Sequence, residues 1–112
     1  MNLAAEERDG AFVVSVRERR IDAAVVIRFK EEMRRLVEGG APRVILDLSQ
    51  VEFLDSSGLG AVISVMKFMG PDRRLELAGL TPTVQKVFRL TRMDSVFTIH
   101  PTLPLGEIGH AV

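Results

Sequence analysis

Val44-Ile45-Leu46-Asp47-Leu48, the loop Ser49 to Leu54, then Asp55-Ser56-Ser57-Gly58-Leu59-Gly60 running on to Met69: the stretch VILDLSQVEFLDSSGLGAVISVMKFM decides the fold. Its first five residues are a compact apolar run of strand length, suited to a central position buried on both faces. After the loop, a helix begins at Asp55 or Ser56, where a short polar side chain can cap free backbone N–H groups. It continues to Met69 and stops at Gly70-Pro71. A strand feeding a helix through a polar loop is the unit that places functional loops at the carboxyl edge of an α/β sheet.

The same grammar extends in both directions. Upstream, Ala11 to Val16 (AFVVSV) reads as a strand behind the turn pair Asp9-Gly10, and Leu3 to Arg8 supplies a hairpin partner. Asp22 stands where a helix N-cap belongs, and Ala23 to Glu38 carries Val26, Phe29, Met33, Leu36 and Val37 at helical spacing until Gly39-Gly40 and Pro42. Downstream, Leu75 to Ala78 is a strand, and Thr81-Pro82 opens a helix through Leu90 with Thr81 as cap. Val96 to Ile99 is a last strand, and Pro104 to Val112 a terminal helix weakened by Gly106 and Gly109. The order ββαβαβαβα predicts one α/β domain over residues 1–112. It has a central mixed sheet of four to five strands, an N-terminal hairpin with the remainder mostly parallel, and three to four helices packed on it.

Composition removes several classes of function. With 112 residues, 46% of them hydrophobic and a mean hydropathy of +0.17, the chain can build a core and is not a disordered tail. Fifteen basic residues balance fifteen acidic ones, so the general electrostatic attraction for nucleic acid is missing. Six Phe and no Tyr or Trp make a base-stacking platform unexpected. The lack of Cys excludes a disulfide framework, a thiolate metal site and a cysteine nucleophile, and two separated histidines, His100 and His110, offer little to a metal. No cofactor is expected. MNLAAEERDG turns polar before an apolar signal core can form, and Ser56 to Met69 is too short to span a bilayer, so a cytoplasmic protein without membrane association is expected. The methionines Met33, Met66, Met69 and Met93 read as core filler, and Arg34-Arg35 and Arg73-Arg74 as solvated faces.

Asp55-Ser56-Ser57-Gly58-Leu59-Gly60 breaks the local rules. Two glycines in an early helical turn each cost up to about 1 kcal/mol against Ala, which a sequence accepts where bare backbone must approach something closely. That something can be internal, with Asp55 or Ser56 merely capping and the glycines permitting tight packing, or it can be a partner. Enzymatic readings fail on spacing. Position 63 is Ile, so Gly58-x-Gly60 lacks the third glycine of a dinucleotide fingerprint; there is no P-loop and no G-x-S-x-G elbow.

In this context the run Val44 to Met69 closely resembles the core of the anti-sigma factor antagonists, bacterial STAS-domain proteins, and the similarity extends over almost the whole chain. The resemblance implies a non-enzymatic partner switch. The unphosphorylated form binds an anti-sigma factor that is also a serine kinase of GHKL ATPase fold, and phosphorylation of the serine after the Asp, Ser56 here, breaks the complex. A PP2C-type phosphatase restores it. The implied partner-binding residues are Asp22, which matches the acid opening the first helix, with Asp55, Ser56, Ser57, Gly58, Leu59 and Gly60. Ser57 ranks second as phosphoacceptor and is better read as a first-turn hydroxyl. The family pattern before the first helix is Gly-x-[Leu/Ile]-Asp, whereas this chain has Arg19-Arg20-Ile21-Asp22. The loop is therefore bulkier and more basic, and Arg19, Arg20 and Ile21 become further candidates for partner contact. A monomer is expected when free. Two other readings keep the fold: a scaffolding STAS module in a stress or transport complex, and a nucleotide-binding STAS domain using the N–H groups of Ser57 to Gly60.

Overall fold

The computed structural model describes residues 1–104. Strands β1 (Leu3–Arg8) and β2 (Ala11–Val16) form the expected hairpin, paired from Leu3↔Val16 to Arg8↔Ala11. Asp9 and Gly10 both take positive φ, 49° and 83°, the geometry of a two-residue turn that matches strand twist. A two-residue strand β3 (Arg20–Ile21) precedes helix α1 (Val26–Val37). Then come β4 (Arg43–Asp47), a second two-residue strand β5 (Phe53–Leu54) and helix α2 (Ser56–Met69). Strand β6 (Arg74–Ala78), helix α3 (Pro82–Leu90), a single 3-10 turn (Met93–Ser95) and strand β7 (Ile99–His100) complete the described chain.

The main sheet has the order β1-β2-β4-β6-β7, antiparallel only between β1 and β2. The parallel strands advance in one direction across the sheet, and right-handed crossovers then lay all the helices on the same face. That face holds the main core: Val14, Val16, Val44, Leu46 and Leu77 of the strands meet Phe29, Met33, Val62, Val84 and Phe88 of the helices, all at most 1% exposed. Phe88 and Phe97 pack edge to face with centroids 5.9 Å apart. Met33 and Met69 are buried, and Met66 and Met93 lie half-covered against the same core, as filler residues do. The opposite face carries a smaller cluster of Ala11, Val13, Ile45 and Ala78 beside the buried carboxylate of Glu76.

Several expectations need correction. Asp22 does not cap α1: the helix starts at Val26, and its N-cap Val25 has no side-chain cap. Asp22 instead closes a tight turn, its Oδ1 accepting from Ala24 N at 3.1 Å and its carbonyl from Val25 N at 3.0 Å, and this local bonding competes with helix for residues 23–25. Thr81 does occupy the N-cap of α3, but its hydroxyl donates to the Val51 carbonyl at 2.7 Å rather than capping. The segment Ser49 to Leu54 contains β5, too short for any periodicity to reveal. The last strand is Ile99–His100 rather than Val96 to Ile99, because Arg92 in the left-handed region and the 3-10 turn delay it. Arg73 is half-buried rather than part of a solvated face; it donates to the carbonyls of Val37 at 2.7 Å and Met69 at 3.2 Å, one acceptor at the C-terminal end of each of α1 and α2. Arg34 lies over the Phe68 ring at 4.2 Å. His100, given no role in the sequence, bonds Glu76 at 2.8 Å. Most of the expected terminal helix, Pro104 to Val112, and with it His110, falls outside the described residues.

Candidate functional site

Because β2 and β4 are parallel, both strands leave the sheet at the same edge. The two short strands then finish the assembly. β3 and β5 pair in parallel, Arg20↔Phe53 and Ile21↔Leu54, and the Arg19 carbonyl accepts from Glu52 N at 2.8 Å. This small ribbon sews the loop before α1 to the loop before α2.

Asp55 is the hinge of that junction. It takes the N-cap of α2, with Oδ1 accepting from Gly58 N at 2.9 Å, while Oδ2 accepts from Ala23 N at 3.2 Å in the other loop. One carboxylate thus caps a helix and clamps a neighbouring turn. Asp22 clamps its own turn and pairs with Arg20, Nε to Oδ2 3.1 Å. That bond, with the backbone N–H groups of Ala24 and Val25, holds the Asp22 carboxyl below its ordinary pKa.

With the cap assigned to Asp55, Ser56 is left at the first helical position, exposed, its hydroxyl without a hydrogen-bond partner among the described residues. Ser57 is also exposed and equally unengaged. The two glycines differ in kind. A Cβ on Gly58 would stand 2.2 Å from the Ile21 carbonyl oxygen, so the backbone of the β3 loop packs directly on this residue. A Cβ on Gly60 would meet nothing within 4 Å. Internal packing explains the first glycine and not the second.

The structure therefore brings Asp22, Asp55, Ser56, Ser57 and Gly60 to one surface. Gly58 and Leu59 are buried, and the Ile21 side chain is fully so; these shape the site from beneath. Arg19 and Arg20 stand at its rim, Arg19 paired with Glu52 at 2.9 Å. Sequence reasoning missed Phe53, a large hydrophobe 37% exposed with the Arg20 guanidinium 4.3 Å from its ring centroid. Its one signal was an aromatic residue two positions before the Asp55 cap. Among the described residues no cluster of side chains is arranged to hold a metal ion, and no helix is long and apolar enough to cross a membrane.

A mixed five-stranded sheet with its helices on one face is an architecture shared with known proteins. The family model of the STAS domain matches residues 2–105, and the chain belongs to that family. The chain is 28% identical over 100 residues to BtrV of Bordetella bronchiseptica, whose name places it among the anti-sigma factor antagonists; the match covers 88% of this chain and 85% of that one. The crystal structure of an anti-sigma factor antagonist from Mycobacterium paratuberculosis superposes with a TM-score of 0.83 at 29% identity, covering 91% of this chain and 86% of the other. The Bacillus cell fate determinant SpoIIAA in its phosphorylated form shares the fold with a TM-score of 0.66 at 22% identity, covering 91% and 93%.

Proposed function

We propose that this chain is an anti-sigma factor antagonist: a single STAS domain whose unphosphorylated form binds an anti-sigma factor with serine kinase activity, and which phosphorylation of Ser56 releases. The observation that carries this reading is the free, exposed Ser56 hydroxyl at the first turn of α2, beside an acid that already takes the capping role by accepting from Gly58 N. The names of the relatives support the antagonist role, and the SpoIIAA structure supplies a phosphorylated protein of the same fold.

The energetics favour a switch in binding over a switch in folding. A phosphoserine adds about −1.5 to −2 charges. At a helix N-terminus that charge gains roughly 0.3–1 kcal/mol from the dipole and free N–H groups, while Asp55 and Asp22 repel it. The net intramolecular effect is small against a domain stability of about 5–15 kcal/mol. Against a partner surface built for a neutral hydroxyl, the same dianion costs several kcal/mol in desolvation. A loss of about 3–4 kcal/mol lowers affinity by more than two orders of magnitude, enough to release the partner.

The kinase is of the GHKL ATPase fold and a PP2C-type phosphatase reverses its action. Incubating the chain with such a kinase and ATP·Mg, followed by peptide mapping in a mass spectrometer, tests the assignment. One phosphate on Ser56 is expected, and none on Ser56→Ala. Phosphate on Ser57 in the unmodified chain, or on neither serine, overturns it.

A further inference from the structure

An open groove of about 460 Å³ lies along the loop that leads from β2 into α1, next to the Ser56 site. Arg17 and Arg20 line it together with the apolar Ala24 and Val25. Two acids border the same groove, but both are engaged. Asp22 is held by Arg20 and Ala24, and the Glu18 carboxylate accepts from Asn2 N at 2.7 Å. Of the basic groups, Arg19 is committed to Glu52. Arg17 is exposed and its guanidinium has no partner among the described residues.

Arg20 is half committed and firmly oriented. Its Nε bonds Asp22, its central carbon lies over the Phe53 ring, and its terminal nitrogens have no partner among the described residues. A guanidinium fixed by stacking and one hydrogen bond loses little freedom when its remaining fork meets a carboxylate. An Arg on an aromatic ring is also the composition of a binding hot spot. Two unsatisfied guanidinium forks over an apolar lining are complementary to a short stretch of Asp or Glu residues, not to a basic or neutral one.

We infer that this groove receives an acidic segment of the partner protein, with Arg20 as anchor and Arg17 as second contact. The inference rests on the switch reading for the identity of the partner, and it adds a cause for release. A dianion on Ser56 stands beside the seated acidic segment as well as beside Asp22, so like-charge repulsion unseats it.

A hexaglutamate peptide, titrated into the isotope-labelled chain, probes the groove directly. The expected result is shifts of the Ala24 and Val25 amides and the Arg17 and Arg20 Nε–H signals, abolished in Arg17→Glu and weakened in Arg20→Gln. Arg17→Glu removes no contact described within the fold, so its folding is not at issue. No shifts in the unmodified chain, or the same titration in Arg17→Glu, overturns the assignment. With the purified kinase, Arg17→Glu should bind about tenfold more weakly at about 0.05 M salt, and the gap should close by about 0.5 M. An equal affinity at low salt overturns it as well. If Ser56→Asp binds the kinase as tightly as the unmodified chain while the peptide still titrates the groove, the switch reading fails and the groove stands.

Discussion

At the scale of single residues, the site is organised by what each polar group already does. Asp55 spends both oxygens on backbone N–H groups from two loops, which leaves the Ser56 hydroxyl, like that of Ser57, unengaged among the described residues. The glycines sort by the same logic. Gly58→Ala drives a methyl into the Ile21 carbonyl and should destabilise the fold by about 1–3 kcal/mol. Gly60→Ala enters open space within a helix and should stabilise it by about 0.5–1 kcal/mol while weakening partner binding. Chemical denaturation of both variants checks the pair. A stability loss in Gly60→Ala would mean that the helix needs this glycine for itself. The sequence made the odd hexapeptide visible and could not divide its labour, because the obstacle facing Gly58 is a backbone carbonyl 37 positions earlier.

At the scale of elements, the long pieces were legible and the short ones were not. Helix α2 and strand β4 announce themselves by apolar runs and terminal punctuation, and the β1–β2 turn by Asp9-Gly10. The β3–β5 ribbon, which holds the site together, has two residues a side and no period to detect. Likewise Glu76 reads as one polar position in a strand, yet it ties three strands: Arg43 of β4 at 2.9 Å, Arg74 beside it at 3.4 Å, and His100 of β7 at 2.8 Å. Burial pushes the Glu76 carboxyl up, but the bonds from Arg43 and His100 and the charge of Arg74 outweigh it and hold it below the ordinary value. A depressed folded pKa means stability that is complete above the ordinary glutamate pKa of about 4.3 and is lost as pH falls through the folded value. Glu76→Gln should therefore cost about 3 kcal/mol at neutral pH, since it leaves the partly buried Arg43 guanidinium without its counter-charge. The difference from the unmodified chain should shrink on acidification in urea unfolding measured across that range. A constant difference down to low pH would contradict this role.

At the scale of the whole molecule, the strand order explains why the chain has one working edge. Right-handed crossovers put every helix on one face, and the parallel pairing of β2 with β4 delivers the loops before α1 and α2 to the same end of the sheet. The main core lies between the sheet and the helices, and Ser56 is exposed outside it. The proposed partner is not legible in the fold; it enters through the hexapeptide and the family resemblance, and through a rim where Arg19 replaces the glycine of the family pattern and Arg20 fills its open position. The most direct measurement of the switch is the dissociation constant of the purified kinase for the unmodified chain and for chain stoichiometrically phosphorylated on Ser56, with thermal unfolding of both. Affinity should fall by more than about a hundredfold on phosphorylation while the unfolding midpoint stays nearly unchanged. Equal affinities, or a loss of affinity that follows unfolding of the domain, would contradict it.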